Sequence, residues 1–267
     1  MLGGKLAAAS TLKAVAAVVG VLTLSIGGAW AVGIIGAPSV AGVDNAFGPV
    51  NETTTTIESE IIVNNPNPFG VRLGGLTIDY AVTMNDVRMA TGGREGLGVD
   101  ASGNTSIPLT TTMNNDRIPP WWHSHIENRE RTNVTIDAVI RSGLLGGRSV
   151  RVPQKRTIET DLIAQFNSSE TRPVEADRSF PSDPLLFINE TTGQWDREAL
   201  SRERTPMRIT FDAYNPKTWP YAVSEIGYTI TMNGVQVGEG TSEDVATILP
   251  ETRQTLGTTV AIRNTNL

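Results

Sequence analysis

The sequence predicts a mostly β protein: a pair of β-sandwich modules behind one N-terminal transmembrane helix. Three observations carry this. An uncharged apolar run stands near the start, period-2 alternation of apolar residues fills the rest, and a run of motifs recurs about 150 positions later. Alternation with one apolar face is the mark of half-buried antiparallel strands.

The apolar run, Ala14–Gly36, has 23 residues and no charge. As a helix it would be about 35 Å long, enough for a hydrocarbon core of about 30 Å. Lys5 and Lys13 precede it and no Asp or Glu occurs before Asp44, so residues 1–13 are expected in the cytoplasm and the bulk outside, at a cell membrane. Ala29-Trp30-Ala31 has the form of a cleavage site, but the run is longer than a signal-peptide core and continues through Ile34 and Ile35. An uncleaved single-pass anchor is the expectation.

Composition narrows the partners. The net charge is −6 over 267 residues, which gives no basis for nucleic-acid binding. The four lysines (Lys5, Lys13, Lys155, Lys217) leave an acidic, lysine-poor surface suited to salt, though the charge is modest. There is no cysteine, so disulfides, thiolate metal sites and cysteine nucleophiles are excluded.

Residues 37–54 read as a tether and 55–166 as the first module. Its strands show in Ile57, Ser59, Ile61 and Val63, in Leu76 to Met84, in Val134 to Ile140, and in Ile158, Leu162 and Phe166. Residues 167–205, polar and broken by Pro173, Pro181 and Pro184, read as a linker, and 206–267 as a second, partial module. The repeat is explicit. Asn65-Pro66-Asn67 is answered by Asn215-Pro216, and Tyr80, Met84, Asn85 and Val87 by Tyr228, Met232, Asn233 and Val235. Asn-Pro forces an extended or turning backbone and ends a ladder. Asn233-Gly234 is a strong type I′ hairpin signal, and Asn85-Asp86 a weaker one. Tyr80 and Tyr228 are expected to plug the core. The second copy stops before any counterpart of Trp121-Trp122 and the two strands after them. It is expected to borrow strands from the linker or from another chain, and an unpaired edge would invite self-association.

The stretch from Ile61 to Gly92, with its alternating strand, Asn65–Asn67 turn and hairpin through Met84 and Asn85, resembles the opening of a late embryogenesis abundant group 2 domain, the water stress and hypersensitive response (WHy) domain. Trp121 to Arg129 and the strand at Val134 resemble that family's short helix and closing strands. The resemblance implies a fibronectin type III or immunoglobulin-like sandwich with one short helix, a role in water stress or desiccation, and no catalytic centre or cofactor.

Candidate chemistry is sparse. His123 and His125, two apart on a helix, face different sides and read as surface histidines without a metal. No G-x-S-x-G occurs, and Gly92 to Gly98 reads as a loop without phosphate-binding context. Asp44, Asp100 and Asp116 lie in loops without the pattern of a calcium loop. Trp121 and Trp122 are expected to pack onto the sandwich. Asn51, Asn104, Asn133, Asn167 and Asn189 begin N-x-S/T sequons and are candidate glycosylation sites. The functional expectation is a non-enzymatic, membrane-anchored, extracytoplasmic protein protective in water or salt stress. The competing readings are a cell-surface interaction or adhesion module and a lipid-binding module, with the partner unknown.

Overall fold

The computed structural model describes residues 39–142, 149–174, 184–232, 234–242 and 246–267. The expected tail 1–13 and membrane span Ala14–Gly36 lie outside these, as does Asn233. Among the described residues no helix is long and apolar enough to cross a membrane.

The first strand is β1 (Ser39–Val50), where a tether was expected. It pairs antiparallel with β2 (Thr54–Asn65), so that Phe47 faces Ile57 and Ser39 faces Asn64. Its backbone has a partner along its length, which a free tether lacks. Then come β3 (Val71–Met84), β4 (Val87–Val99), β5 (Gly103–Asn114), a 3-10 turn at Asn115–Arg117 and the helix α1 (Ile118–Glu127). Strands β6 (Arg131–Ser142) and β7 (Ser149–Glu159) complete a seven-stranded antiparallel sheet in the order β1-β2-β5-β4-β3-β6-β7. Strands β4 and β5 join only over Ala90–Gly93 and Thr110–Met113. The Gly92–Gly98 stretch, expected as a loop, therefore lies within strand β4. Gly92 faces Tyr80 across the ladder, and Gly96 takes a φ of +71° where the β3–β4 register slips.

After β7 the chain makes a 3-10 turn at Ile163–Phe166, so Leu162 and Phe166 do not continue a strand as their spacing implied. The expected linker contains β8 (Arg172–Val174) and β9 (Leu186–Trp195). These join β10 (Arg204–Tyr214) and β15 (Arg253–Arg263) in a sheet ordered β15-β10-β9-β8. Between β10 and β15 lie β11 (Tyr221–Val223) paired with β14 (Ala246–Ile248), and β12 (Ile226–Met232) paired with β13 (Val235–Ser242). The strand that covers β10 thus comes from the stretch read as a linker.

Packing divides the described chain into two units. The first holds residues up to Trp121 and Arg131–Glu159; the second holds Trp122–Glu130 and Thr160–Leu267. In the first, Tyr80, Val82, Met84, Val134, Ile136 and Ala138 of β3 and β6 form the main core with Met89 and Ala90, and Trp121 packs against it. In the second, Leu186, Ala213, Ile248 and Leu256 are buried together.

Registers recur between the units. Thr55 faces Met113, and Thr205 faces Ile262, at offsets of 150 (205 − 55) and 149 (262 − 113). Tyr80 faces Gly92 and Tyr228 faces Gly240, both 148 later. Strand β9 answers β1: Trp195 faces Met207 as Phe47 faces Ile57, at offsets of 148 (195 − 47) and 150 (207 − 57).

The Tyr–Gly pairs show what the register demands. The Tyr80 hydroxyl bonds Thr111 Oγ1 at 2.5 Å, and burial raises its pKa although that bond partly opposes the rise. A Cβ on Gly92 would lie 2.2 Å from that hydroxyl and 2.8 Å from the Thr110 carbonyl. On Gly240 it would lie 2.5 Å from the Tyr228 hydroxyl. Tyr80 plugs the core as expected, but Tyr228 is only half buried. Strand β3 is flanked by β6, whereas β12 pairs only with β13 among the described residues.

Gly92→Ala is therefore expected to cost about 2 kcal/mol or more, because both a buried ring and backbone must shift. Gly240→Ala should cost about 1 kcal/mol or less, because the Tyr228 ring can swing toward solvent. Urea denaturation of the two variants checks this; equal losses would contradict it.

Candidate functional site

The residues singled out by the Asn-Pro repeat sit where strands end and backbone groups lose ladder partners. Asn65 is fully buried. Its Nδ2 donates to the carbonyls of Phe69 at 3.0 Å and Asp100 at 2.9 Å, and its Oδ1 accepts from the Asn67 N–H at 3.1 Å. Asn67 Nδ2 also donates to Asn65 Oδ1, at 2.7 Å. Asn215 is fully buried too. Its Nδ2 donates to the carbonyls of Trp219 at 2.8 Å and Ile248 at 3.0 Å, and its Oδ1 accepts from the Lys217 N–H at 2.9 Å. An amide carries two donors and an acceptor on one rigid plane, so a single side chain ties the turn to the loop across from it. Pro66 and Pro216 supply the extended geometry that lets the chain reverse around it.

Sequence reasoning missed a second repeated lock at the opposite strand ends. Thr55 Oγ1 donates to Asn115 Oδ1 at 2.9 Å, and Asn115 Nδ2 to the Asn51 carbonyl at 2.9 Å. Thr205 Oγ1 donates to Asn264 Oδ1 at 2.7 Å, and Asn264 Nδ2 to the Ser201 carbonyl at 3.1 Å. The signal was present as Thr and Asn spaced by 150 (205 − 55) and 149 (264 − 115), hidden among many other Thr and Asn.

The hairpin residues behave as turn chemistry requires. Asn85 and Asp86 have φ of 45° and 66°, and Gly234 has φ of 80°. Asn85 Oδ1 accepts from the Asn133 N–H at 2.8 Å, tying the hairpin to β6.

Trp121 and Trp122 have separate duties. In the first unit, Trp121 Nε1 donates to Thr132 Oγ1 at 3.0 Å. In the second, Trp122 is buried, donates to Thr205 Oγ1 at 2.9 Å and meets Trp195 edge to face. Pro119 and Pro120 fall in the first turn of α1, where a missing N–H costs nothing.

Glu130 is a densely satisfied, buried carboxylate of the second unit and was not anticipated. It is 4% exposed. Oε1 accepts from Trp195 Nε1 at 2.7 Å and the Ile163 N–H at 3.1 Å. Oε2 accepts from Thr160 Oγ1 at 2.9 Å and the Leu162 N–H. Burial opposes its charge, but the bonds from Leu162, Trp195, Ile163 and Thr160 outweigh it and hold the carboxyl below its usual range. His125, expected at the surface, is 2% exposed. Its Nε2 lies 2.9 Å from Thr160 Oγ1. The hydroxyl proton goes to Glu130, so Nε2–H donates and Thr160 accepts. Burial lowers the His125 pKa, against the partial pull of Glu130. A carboxylate with four donors and a depressed pKa is a poor proton acceptor; the cluster anchors the end of α1 and the following turn. His123, which lies 3.9 Å from Glu127, does not join it. Among the described residues no group of three or more His, Cys, Asp or Glu could hold a metal ion.

Of the sequon asparagines, Asn51, Asn104, Asn133 and Asn167 are exposed. Asn51 Oδ1 caps its own turn by accepting from the Thr54 N–H at 2.8 Å. Asn189 Nδ2 is buried, which disfavours a glycan there in the folded chain.

Two exposed aromatic residues mark the buried-asparagine turns. Phe69 is 48% and Trp219 58% exposed, 150 positions apart, and the carbonyl of each is a ligand of its turn asparagine. Lys217 Nζ lies 6.0 Å from the Trp219 ring.

Residues 60–158 match the family model of the late embryogenesis abundant proteins. The match covers β2 from Glu60 through β7, the hairpin and α1 included. An uncharacterized protein of Methanocaldococcus jannaschii is 29% identical over 88 residues, which are 32% of this chain and 50% of that one. The chain thus spans about half the length of that curated relative. A crystal structure of a protein from Archaeoglobus fulgidus aligns with a TM-score of 0.37 at 22% identity, covering 46% of this chain and 98% of the other. A solution structure from Arabidopsis thaliana aligns with a TM-score of 0.31 at 12% identity, covering 48% and 83%.

Asn65→Ala is expected to cost about 2–4 kcal/mol, since it orphans two carbonyls and an N–H at a buried position. Asn65→Asp should not rescue it, because a carboxylate restores the acceptor and neither donor. Thermal unfolding of both variants checks the pair; recovery by Asp would refute the amide's dual role.

Glu130 and His125 both have folded-state pKa values below their unfolded ones. Their stabilisation is therefore complete above the ordinary histidine value of 6.5 and falls with pH, His125 first and Glu130 below the ordinary carboxyl value of 4.5. Glu130→Gln should cost about 3 kcal/mol at neutral pH and flatten the acidic step. His125→Gln should flatten the step just below 6.5. Melting temperatures from pH 3 to 8, with both steps kept in both variants, would refute this assignment.

Proposed function

We propose that this is a non-enzymatic, membrane-anchored, extracytoplasmic protein whose two WHy-type β-sandwich copies protect other proteins or lipids when water is lost or salt rises. The observation that carries the reading is the match of residues 60–158 to the late embryogenesis abundant family, which supports a stress-related role without catalysis. The repeated registers, the paired locks of Asn65 and Asn215, and the paired Thr–Asn locks support two copies of one module. The apolar, uncharged run Ala14–Gly36 supports the anchor. The protective surface would be the outward faces of the strands, which carry Thr56, Thr110 and Thr112 on β2 and β5 and present hydroxyls rather than apolar groups.

A second reading, contact with a lipid or protein partner, has a specific observation in its favour. Phe69, Trp219 and Leu249 are large apolar side chains about half exposed at strand-end turns.

The test is protection of a desiccation-sensitive enzyme by the full chain in vesicles, against empty vesicles carrying equal mass of albumin. Activity retained after drying and after high salt should exceed the control. Parity with albumin would sink the protective reading and leave the partner-contact reading.

A further inference from the structure

The start of β1 and the Asn65 turn occupy one end of the first unit. Ser39 faces Asn64 across the β1–β2 ladder, which brings the two backbones to about 5 Å of each other. Only Ala37 and Pro38 separate Ser39 from Gly36, the last residue of the apolar run. Three residue steps span at most about 10 Å. The Asn65 turn therefore cannot stand far from where the run ends. If that run spans the bilayer, the turn lies at the headgroup layer, which is about 5–7 Å deep on each side.

The side chain presented there is Phe69, 48% exposed although its carbonyl is held by buried Asn65. Pro66 and Pro68 flank the turn, and Asn67 is itself buried. The backbone is thus fixed from inside while the aromatic ring is left outside. Buried bonds make the turn rigid, so the ring's exposure is not a by-product of a loose loop. An aromatic ring on a rigid support at headgroup depth is favoured by the interface, as in the aromatic belts of membrane proteins. Asp100, whose carbonyl joins the same lock, is exposed beside it; one acidic group disfavours an anionic surface and suits a zwitterionic one.

We propose that the Asn65–Gly70 turn is a membrane-docking tip, seating the Phe69 ring in the headgroup region of the bilayer that holds the chain's own anchor. This rests on the anchor proposed above. Docking would add a second attachment beside the helix and fix the direction of β2. The opposite strand end at Thr54 would then stand about 35 Å farther out, eleven strand steps away.

The absence of cysteine makes the test direct. Single cysteines are placed in the full chain at exposed Ala101, beside the turn, and at exposed Asp116, beyond the far end of β5, written Ala101→Cys and Asp116→Cys. Each is labelled with an environment-sensitive fluorophore in phosphatidylcholine vesicles and quenched by brominated lipid or by aqueous iodide. Docking predicts severalfold stronger lipid quenching at 101 than at 116, and its loss when Phe69→Ser is added. Phe69→Ser leaves the carbonyl bond to Asn65 in place, so a folded variant is expected, and an unchanged melting temperature verifies it. Equal iodide access at both positions, with the chain still retained after alkaline carbonate extraction, would overturn docking and spare the anchor. Release of the chain by that extraction would overturn the anchor and the docking together. Lipid quenching at 101 that survives Phe69→Ser would overturn the role given to the ring.

Discussion

A strand that ends inside a folded unit leaves carbonyls and N–H groups with no ladder to join, and burying them unpaired costs more than most single contacts return. This chain meets the constraint with side-chain amides. Asn65 and Asn215 each bind two carbonyls and an N–H at one strand end, and Asn115 and Asn264 each bridge a threonine hydroxyl and a carbonyl at the other. With both ends closed, β2–β5 and β10–β15 can hold the same register. The Tyr–Gly pairs and hairpins hang from those central pairs. A cysteine-free protein depends on such locks, because no disulfide staple is available to it.

Glu130 shows the same constraint met with a charge. The carboxylate gathers an indole N–H, a hydroxyl and two backbone N–H groups where the chain leaves α1 and where it turns after β7. Its four donors explain how a charge tolerates burial. They also make the carboxylate a poor proton acceptor, since each oxygen already accepts two hydrogen bonds. The second unit acquires in this way a helix end, Trp122–Glu130, that is separated from the rest of it in sequence by Arg131–Glu159.

Much of the architecture was legible from pattern. Period-2 alternation located β2, β3 and β6, because one face of each is buried. The Asn85-Asp86 hairpin was legible because positive φ restricts residue choice, and the structure gives both residues that backbone. The repeat was legible because Asn-Pro and the Tyr, Met, Asn and Val residues of the following hairpin recur at nearly constant spacing. Strands β1 and β9 were not, since Ser39–Val50 and Leu186–Trp195 are rich in polar residues or glycine and proline and alternate weakly. Their strand character comes from an edge offered by a neighbour. His125 and Glu130 were unreadable for a related reason: polar residues near a helix end look solvated until the elements that cover them are placed.

The sequence by itself determined that the chain is β-rich, that its motifs recur once about 150 residues later, that Asn-Pro ends strands in both copies, and that it carries an apolar run fit for a membrane. Each of these follows from local chemistry: side-chain period, turn dihedrals, the backbone restriction before proline and hydropathy. Tertiary structure alone decided that the apparent tether and linker contribute strands, that Trp121 and Trp122 serve different units, and that Thr160, Leu162, Ile163 and Trp195 converge on Glu130. These depend on partners far away in the chain, and a ladder edge or a buried carboxylate acquires its meaning only when those partners arrive.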